Sequence, residues 1–192
     1  MSQTFHVAVI VGSLRKGSLS RIAAKALARL APPNLAFRFV EIGDLPLYDE
    51  DLDGEAAPPA WTRFRDEMRS ADAVLFVTPE YNRSVPGGLK NAIDVGSRPY
   101  GQAVWTGKPA AVMSTSMGGL GGFGANHHLR QALSFFDMPL LQQPEAYVGN
   151  TGTLFDDDGH PVSEQTEAFF KGFVDAFGRL IERNVQARAL AA

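Results

Sequence analysis

The chain contains no cysteine. Disulfides, thiol nucleophiles and cysteine-based zinc or iron–sulfur centres are therefore excluded, and the absence is compatible with the cytoplasm, the expected location. Charge of one sign is also scarce: 18 Lys and Arg stand against 21 Asp and Glu, a net charge of −3. There is no basic run, so nothing in the charge pattern points to nucleic acid. The apolar segment Phe5–Val11 is far shorter than the roughly 20 residues of a membrane-spanning helix. The first residues show no basic segment leading into an apolar core, so no secretory leader is expected. Repeats and low-complexity tracts are absent. What remains is 192 residues, 45% apolar and 20% charged, the profile of one globular domain over 1–192 with ample length for a core.

The most informative stretch is FHVAVIVGSLRKGSLS, residues 5–20. Small and β-branched apolar residues from Val7 to Val11 read as a buried strand. The run breaks at Gly12, passes through a hydroxyl- and cation-bearing loop, and enters a helix near Ser18. A helix N-terminus carries unpaired N–H groups and the positive end of the helix dipole, which together favour an anion. Ser13, Ser18 and Ser20 add hydroxyl donors and Arg15 a guanidinium fork. Two well-known phosphate grips are missing. Gly12 and Gly17 have P-loop spacing, but Ser18-Leu19 stands where Lys-Ser/Thr would follow, which argues against a nucleoside triphosphatase. The dinucleotide spacing G-x-G-x-x-G fails as well, because Ser13 and Leu14 follow Gly12. Two readings fit: a grip for a phosphate monoester, or a solvated turn with ordinary capping serines.

Downstream, strands alternate with helices. A helix is predicted over about 18–31, with Ile22, Ala23, Ala26, Leu27 and Leu30 on one face and Pro32-Pro33 as its stop. Leu35, Phe37 and Phe39 alternate with Ala36 and Arg38, the pattern of a half-exposed edge strand. Residues 41–60, rich in acids, Pro and Gly, form a long loop in which Leu45, Leu47 and Tyr48 are candidates to cover a pocket. A helix follows over about 60–70, with Phe64 and Met68 inward. Ala73 to Val77 is an unbroken apolar run, as in a central parallel strand. Pro86 opens another helix, packed through Leu89, Ala92, Ile93 and Val95 and ending at Gly96. Further strands are expected at 108–114 and 140–142, the latter extending toward Ala146, with a helix over 122–136 between them. Ser163 caps a last helix with an apolar stripe from Phe169 to Ile181.

This alternation predicts an α/β fold with a parallel sheet. With strand order 2-1-3-4-5, the segments 12–20, 78–87 and 115–124 would converge at the carboxyl ends of neighbouring strands, where such sheets bind ligands. In the second segment, the N–H groups of Glu80 to Arg83 and the Asn82 amide could read the edge of a heterocycle, with Tyr81 against its face. An ordinary turn in which Asn82 takes positive φ fits equally well. The third segment contains Gly119, Gly121 and Gly124, a literal G-x-G-x-x-G in the wrong βα turn for a dinucleotide fingerprint. Close approach of the 118–122 backbone to a planar ligand is the expected use of its glycines. Ser114, Thr115 and Ser116 add hydroxyls there. No metal site is expected: His127 and His128 are adjacent on a helix and point apart, and Asp156–Asp158 lacks the rest of a calcium loop.

Three motifs, GSLRKGS at 12–18, TPEYN at 78–82 continuing into SVPGGLKNAID at 84–94, and the Ser116-x-Gly118 loop with Gly121-Gly122, together resemble the NAD(P)H-dependent FMN reductase family of flavodoxin-like proteins, including its quinone and chromate reductase members. The resemblance covers almost the whole chain. It implies a flavodoxin-like three-layer sandwich around a five-stranded parallel sheet. It implies FMN as bound cofactor, its phosphate held by Ser13, Arg15, Ser18 and Ser20. Pro79, Glu80, Tyr81 and Asn82, with Arg83 beside them, would line the isoalloxazine and ribityl group, and Ser116 and Gly118 would flank the ring from the other side. Leu19 stands where such loops often carry Asn. The implied reaction is ping-pong: NAD(P)H delivers a hydride to the flavin, which then reduces a quinone, free flavin, chromate or similar small acceptor. No protein general acid or base is implied.

The resemblance also implies a homodimer or homotetramer. Arg83 stands where some relatives carry Tyr in an inter-subunit network with an Arg and a Glu, matched here by Arg130 and Glu145. Two other classes compete with the enzyme reading. One is an FMN electron carrier without NAD(P)H turnover; the other is a regulatory protein that binds a phosphate ester without flavin.

Overall fold

The computed structural model describes residues 3–54 and 56–191, with side chains through 187. Five strands form one parallel sheet in the order β2-β1-β3-β4-β5: β1 Phe5–Val11, β2 Leu35–Phe39, β3 Ala73–Pro79, β4 Ala110–Thr115 and β5 Ala146–Val148. The expected order is therefore the observed one. Registers run from Phe5 opposite Leu35, Val7 opposite Ala73, Val74 opposite Ala110 and Met113 opposite Ala146. The connecting helices are α1 Leu19–Leu30, α2 Pro59–Arg69, α3 Gly87–Gly96, α4 Phe123–Ser134 and α5 Glu164–Ala191.

The period-two alternation of side chains along a strand divides the core into two layers. Val7, Val9, Val11, Leu75, Val77 and Met113 pack beneath α1 and α5, against Leu27, Phe170, Phe173 and Phe177. Ala8, Ile10, Val74, Phe76 and Val112 face α2, α3 and α4, against Phe64, Met68, Leu89 and Leu129. β1, β3 and β4 are buried on both faces, which is why they read as continuous apolar runs. β2 lies at the edge and is half-exposed.

The last strand departs from the sequence reading. Residues 140–142 form no strand: Leu140 makes an isolated bridge with Ala110, and the Leu141 N–H donates once to Ala110 O. The ladder resumes only at Ala146. Proline lacks the N–H a ladder needs, and Pro144 interrupts the segment between the two contacts.

In the long segment after β2, Tyr48 lines a surface pocket with Glu50, Asp53 and Arg98. Leu45 joins the core, Leu47 is exposed, and Tyr48 packs on Trp61. Asn91 holds this segment from below, accepting from the Tyr48 N–H and donating to Pro46 O. Asp53 is fixed by a buried, two-pronged pair with Arg65 at 2.9 and 3.1 Å. Among the described residues, no helix is long and apolar enough to cross a membrane.

Candidate functional site

At the carboxyl edge of the sheet, the segments following β1, β3 and β4 surround one cleft of about 420 Å³, within the usual size of a small-ligand site. Its lining combines Ser13, Arg15, Ser18, Leu19 and Ser20 from the first segment, Pro79, Glu80 and Tyr81 from the second, and Thr115, Ser116 and Met117 from the third. β1 and β3 are neighbours whose connections leave in opposite directions, and an open α/β sheet has its natural crevice at such a point.

The first segment is built around the start of α1. Ser18 takes extended geometry, and its Oγ accepts from the Arg21 N–H at 3.1 Å. The hydroxyl hydrogen of Ser18 is thereby left to point elsewhere. No acidic residue occupies the first turn of α1, so its positive dipole end is uncompensated by the chain itself. Ser13 and Ser18 are nearly buried. Arg15 is exposed and folds over its own loop, donating from Nη2 to Gly17 O at 2.8 Å. The Ser20 hydroxyl bonds the Thr115 hydroxyl at 2.7 Å, joining α1 to the end of β4 within the lining of the cleft. This donor set, hydroxyls and one guanidinium at an uncompensated helix N-terminus, suits a phosphate monoester.

The second segment is a two-residue hairpin. Tyr81 and Ser84 exchange both N–H to O bonds at 3.0 Å, and the central residues Asn82 and Arg83 have φ of 51° and 63°. These are the signs of a type I′ turn, in which Asn is common and Arg is strained. Tyr81 stands on the lip of the cleft, half-exposed, and the Arg83 side chain is exposed. Arg83 pairs with Glu80 at 2.9 Å, and the second carboxylate oxygen of Glu80 accepts from the Ala125 N–H at 3.0 Å.

The third segment presents Ser116 and Met117. The Ser116 N–H donates to Val148 O, its carbonyl accepts from the Thr151 N–H, and its Oγ accepts from the Gly118 N–H at 3.1 Å. Gly118 therefore orders the loop and does not itself line the cleft. The glycines at 121 and 122 lie close against the chain itself, a requirement for smallness that the sequence reading does not include. Gly121 has φ +60°, and a Cβ there would stand 2.4 Å from the backbone carbon of Tyr147. Its smallness lets the loop pass against β5. Ser114 also turns inward, donating to Gly121 O at 2.7 Å.

Eight of the eleven residues expected at the site thus line one cleft: Ser13, Arg15, Ser18, Ser20, Pro79, Glu80, Tyr81 and Ser116. Leu19 and Met117 were not among them and carry no polar signal that would have selected them. Thr115 reads from sequence only as one hydroxyl in a run of three. His127 and His128 do point apart, toward the Tyr147 hydroxyl and the Ser84 hydroxyl. Burial, and then its hydrogen bond to Glu145, raise the Tyr147 phenol above its ordinary pKa. Among the described residues, no group of three or more His, Asp or Glu is placed to hold a metal ion.

Comparison with known proteins agrees with this geometry. The model of the NADPH-dependent FMN reductase family matches residues 5–153. A quinone reductase of Pseudomonas putida is 61% identical over 184 residues, covering 96% of this chain and 98% of that protein. An NAD(P)H-dependent FMN reductase of Pseudomonas aeruginosa is 40% identical over 183 residues, covering 95% and 98%. The solved structure of FerB, a flavoenzyme NAD(P)H:(acceptor) oxidoreductase from Paracoccus denitrificans, superposes with a TM-score of 0.90 at 46% identity, covering 94% of this chain and 99% of that one. With a cleft that suits a phosphate ester and a flat ring, and with these matches along nearly its full length, the chain belongs to the NADPH-dependent FMN reductase family.

Proposed function

We infer that this protein is an FMN-dependent NAD(P)H oxidoreductase that passes electrons to a quinone, free flavin, chromate or similar small acceptor, with quinone the acceptor its relatives favour. The observation that carries the reading is the start of α1, where Ser13, Ser18 and Arg15 surround a dipole end bearing no acid of its own. The same cleft continues into Tyr81, Pro79 and Met117, which offer apolar surface to a ring system. The P. putida and P. denitrificans relatives, named for quinone and acceptor reduction, support the acceptor class.

FMN, when bound, supplies the hydride and electron chemistry, taking a hydride from NAD(P)H and passing electrons to an acceptor in ping-pong order. The chain contributes binding and exclusion of water. Ser13, Ser18 and Arg15 hold the phosphate, and Ser20 supports that end through its bond to Thr115. Tyr81 covers one side of the ring position. Ser116, whose Oγ already accepts from Gly118, can donate its own hydrogen into the cleft from the other side. Asn82 and Arg83 serve through the turn that aims Tyr81, and Gly118 serves through Ser116.

The chain acts as one flavin-binding domain over 1–192, in the cytoplasm, as a homodimer or homotetramer. Within one chain Arg83 pairs with Glu80, Glu145 accepts from Tyr147, and Arg130 donates to Asn126 and Leu141 O. An interface using Arg83, Arg130 and Glu145 would therefore have to exchange these partners or build upon them. Light scattering behind size-exclusion chromatography reads the assembly state.

The decisive test is the visible spectrum of purified protein incubated with FMN, freed of excess ligand, and then given NADPH without oxygen. A flavin band that bleaches supports the oxidoreductase. A band that persists with both NADPH and NADH would favour an electron carrier. A failed FMN titration would refute the flavin assignment.

A further inference from the structure

Helix α4 begins without a cap of its own. Its N-cap position is Gly122, which has no side chain to offer, and its first turn holds no acid. The deficit is met from elsewhere in the chain. Glu80, 45 residues earlier than Ala125, accepts from the Ala125 N–H through Oε2 at 3.0 Å. Ala125 is the third residue of the helix, where an N-cap side chain ordinarily bonds. The carboxylate also lies where the helix dipole favours negative charge. The Glu80 side chain is 11% exposed and that of Arg83 is 74% exposed, so the helix bond is sheltered while the ion pair is screened. Gly124 permits the approach: a Cβ there would stand 2.9 Å from Glu80 Oε2 and 3.1 Å from Arg83 O.

This bond joins two walls of the cleft. Glu80 lies between Pro79 and Tyr81 on one wall. The 116–122 segment, which forms the other wall, runs directly into α4. On its far side that segment is tied to the end of β5 by Ser116 and Thr151. On its near side there are two links to the hairpin after β3: the sheltered Glu80–Ala125 bond and an exposed bond between Ser84 and His128 at 2.7 Å. We propose that Glu80 is a positioning residue, which caps α4 in place of Gly122 and thereby sets the spacing between the Tyr81 and Met117 walls and the affinity for FMN. The proposal rests on the flavin reading above.

The test uses full-length wild type, Glu80→Ala and Glu80→Gln. FMN affinity is read from quenching of flavin fluorescence, and hydrogen exchange is followed at the Ala125 amide in the same proteins without flavin. Glu80→Ala is expected to weaken FMN at least tenfold and to speed Ala125 exchange at least tenfold. Glu80→Gln retains an oxygen that can accept from Ala125, so it should stay within threefold of wild type on both measures. If Glu80→Ala does not fold, Ala125→Pro removes the same bond from the helix side and should weaken FMN comparably. Wild-type affinity in Glu80→Ala would overturn the proposal. So would a Glu80→Gln protein that binds FMN as weakly as Glu80→Ala while Ala125 stays protected, because the carboxylate would then act on the ligand by its charge. A wild type that fails to quench flavin would refute the flavin reading itself, and this proposal with it.

Discussion

Gly121 separates two explanations of the glycine-rich third loop. If glycine is needed there for passage against β5, Gly121→Ala should damage the protein with no flavin present. The added Cβ would meet three backbone atoms of the neighbouring strand: Tyr147 C at 2.4 Å, Tyr147 O at 2.5 Å and Val148 N at 2.8 Å. None belongs to a flexible side chain that could swing aside. Alanine at φ +60° costs about 1–2 kcal/mol in the left-handed region, and overpacking a tight site adds about 1–3 kcal/mol. The sum, about 2–5 kcal/mol, is a large share of the roughly 5–15 kcal/mol that holds a typical domain together. A loss of about 3 kcal/mol lowers the melting temperature of a chain this long by about 6–12 °C. Urea unfolding of the flavin-free protein, followed by tryptophan fluorescence, measures it directly. Gly119→Ala is the internal control: no atom lies within 4 Å of its Cβ position, and its stability should change by no more than about 0.5 kcal/mol. A Gly121→Ala protein that unfolds within about 1 kcal/mol of wild type yet loses FMN affinity would refute the passage explanation, since the glycine would then serve the ligand.

Arg15→Ala should weaken FMN by about tenfold, the loss of roughly one charge-assisted hydrogen bond, while the flavin-free melting temperature stays unchanged because the exposed Arg15 bonds Gly17 O within its own loop; equal affinity would remove Arg15 from the phosphate site. Ser18→Ala should do both, weakening FMN and costing about 1 kcal/mol of stability through the lost cap; calorimetry without flavin tests the second part. Thr115→Val should destabilise by about 1–2 kcal/mol, because it leaves the buried Ser20 hydroxyl without its partner; a neutral result would mean that Ser20 finds another. Burial pulls the Asp53 carboxyl upward, but hydrogen bonds from Arg65 and Gly54 outweigh it and hold the group below its ordinary pKa. Its stabilising effect is therefore complete above about pH 4, the unfolded value, and is lost as pH falls through the lower folded value. Asp53→Asn should accordingly cost about 3–5 kcal/mol at pH 7, and the gap in urea midpoints should narrow as pH falls below about 4; a gap independent of pH would refute the assignment.

Local chemistry was legible wherever one segment carried all of it. The run from Val7 to Val11, the capping Ser18 and the stop at Pro32 announce a strand, a loop and a helix without reference to the rest of the chain, and the structure has these elements where expected. The buried runs of β3 and β4 are equally plain, because parallel strands covered on both faces admit few polar residues. Pattern alone misplaced the fifth strand, since the apolar Leu140 and Leu141 attracted the assignment while Pro144 controlled where the ladder could resume.

Residues whose partners lie far along the chain could be assigned only in three dimensions. Glu80 and Arg83 looked like members of one ligand-reading row. In the structure Arg83 sits in the type I′ turn with its side chain exposed, while Glu80 stays in the cleft wall and accepts from the N–H of Ala125. Gly121 reads as a contact for a planar ring, and only the fold shows that it also lies against the backbone of β5. Ser20 reads as a phosphate ligand; it lines the cleft and also bonds Thr115, 95 residues away, a partner no local pattern shows. The sequence by itself determined the layered α/β architecture, the order of its elements and the chemical character of the cleft, because strand and helix periods, caps and apolar runs are local properties of the chain. The tertiary structure alone decided which polar groups face the cleft and which support it, because a hydrogen-bonding side chain reveals its role only when its partner, tens of residues distant, is brought within about 3 Å.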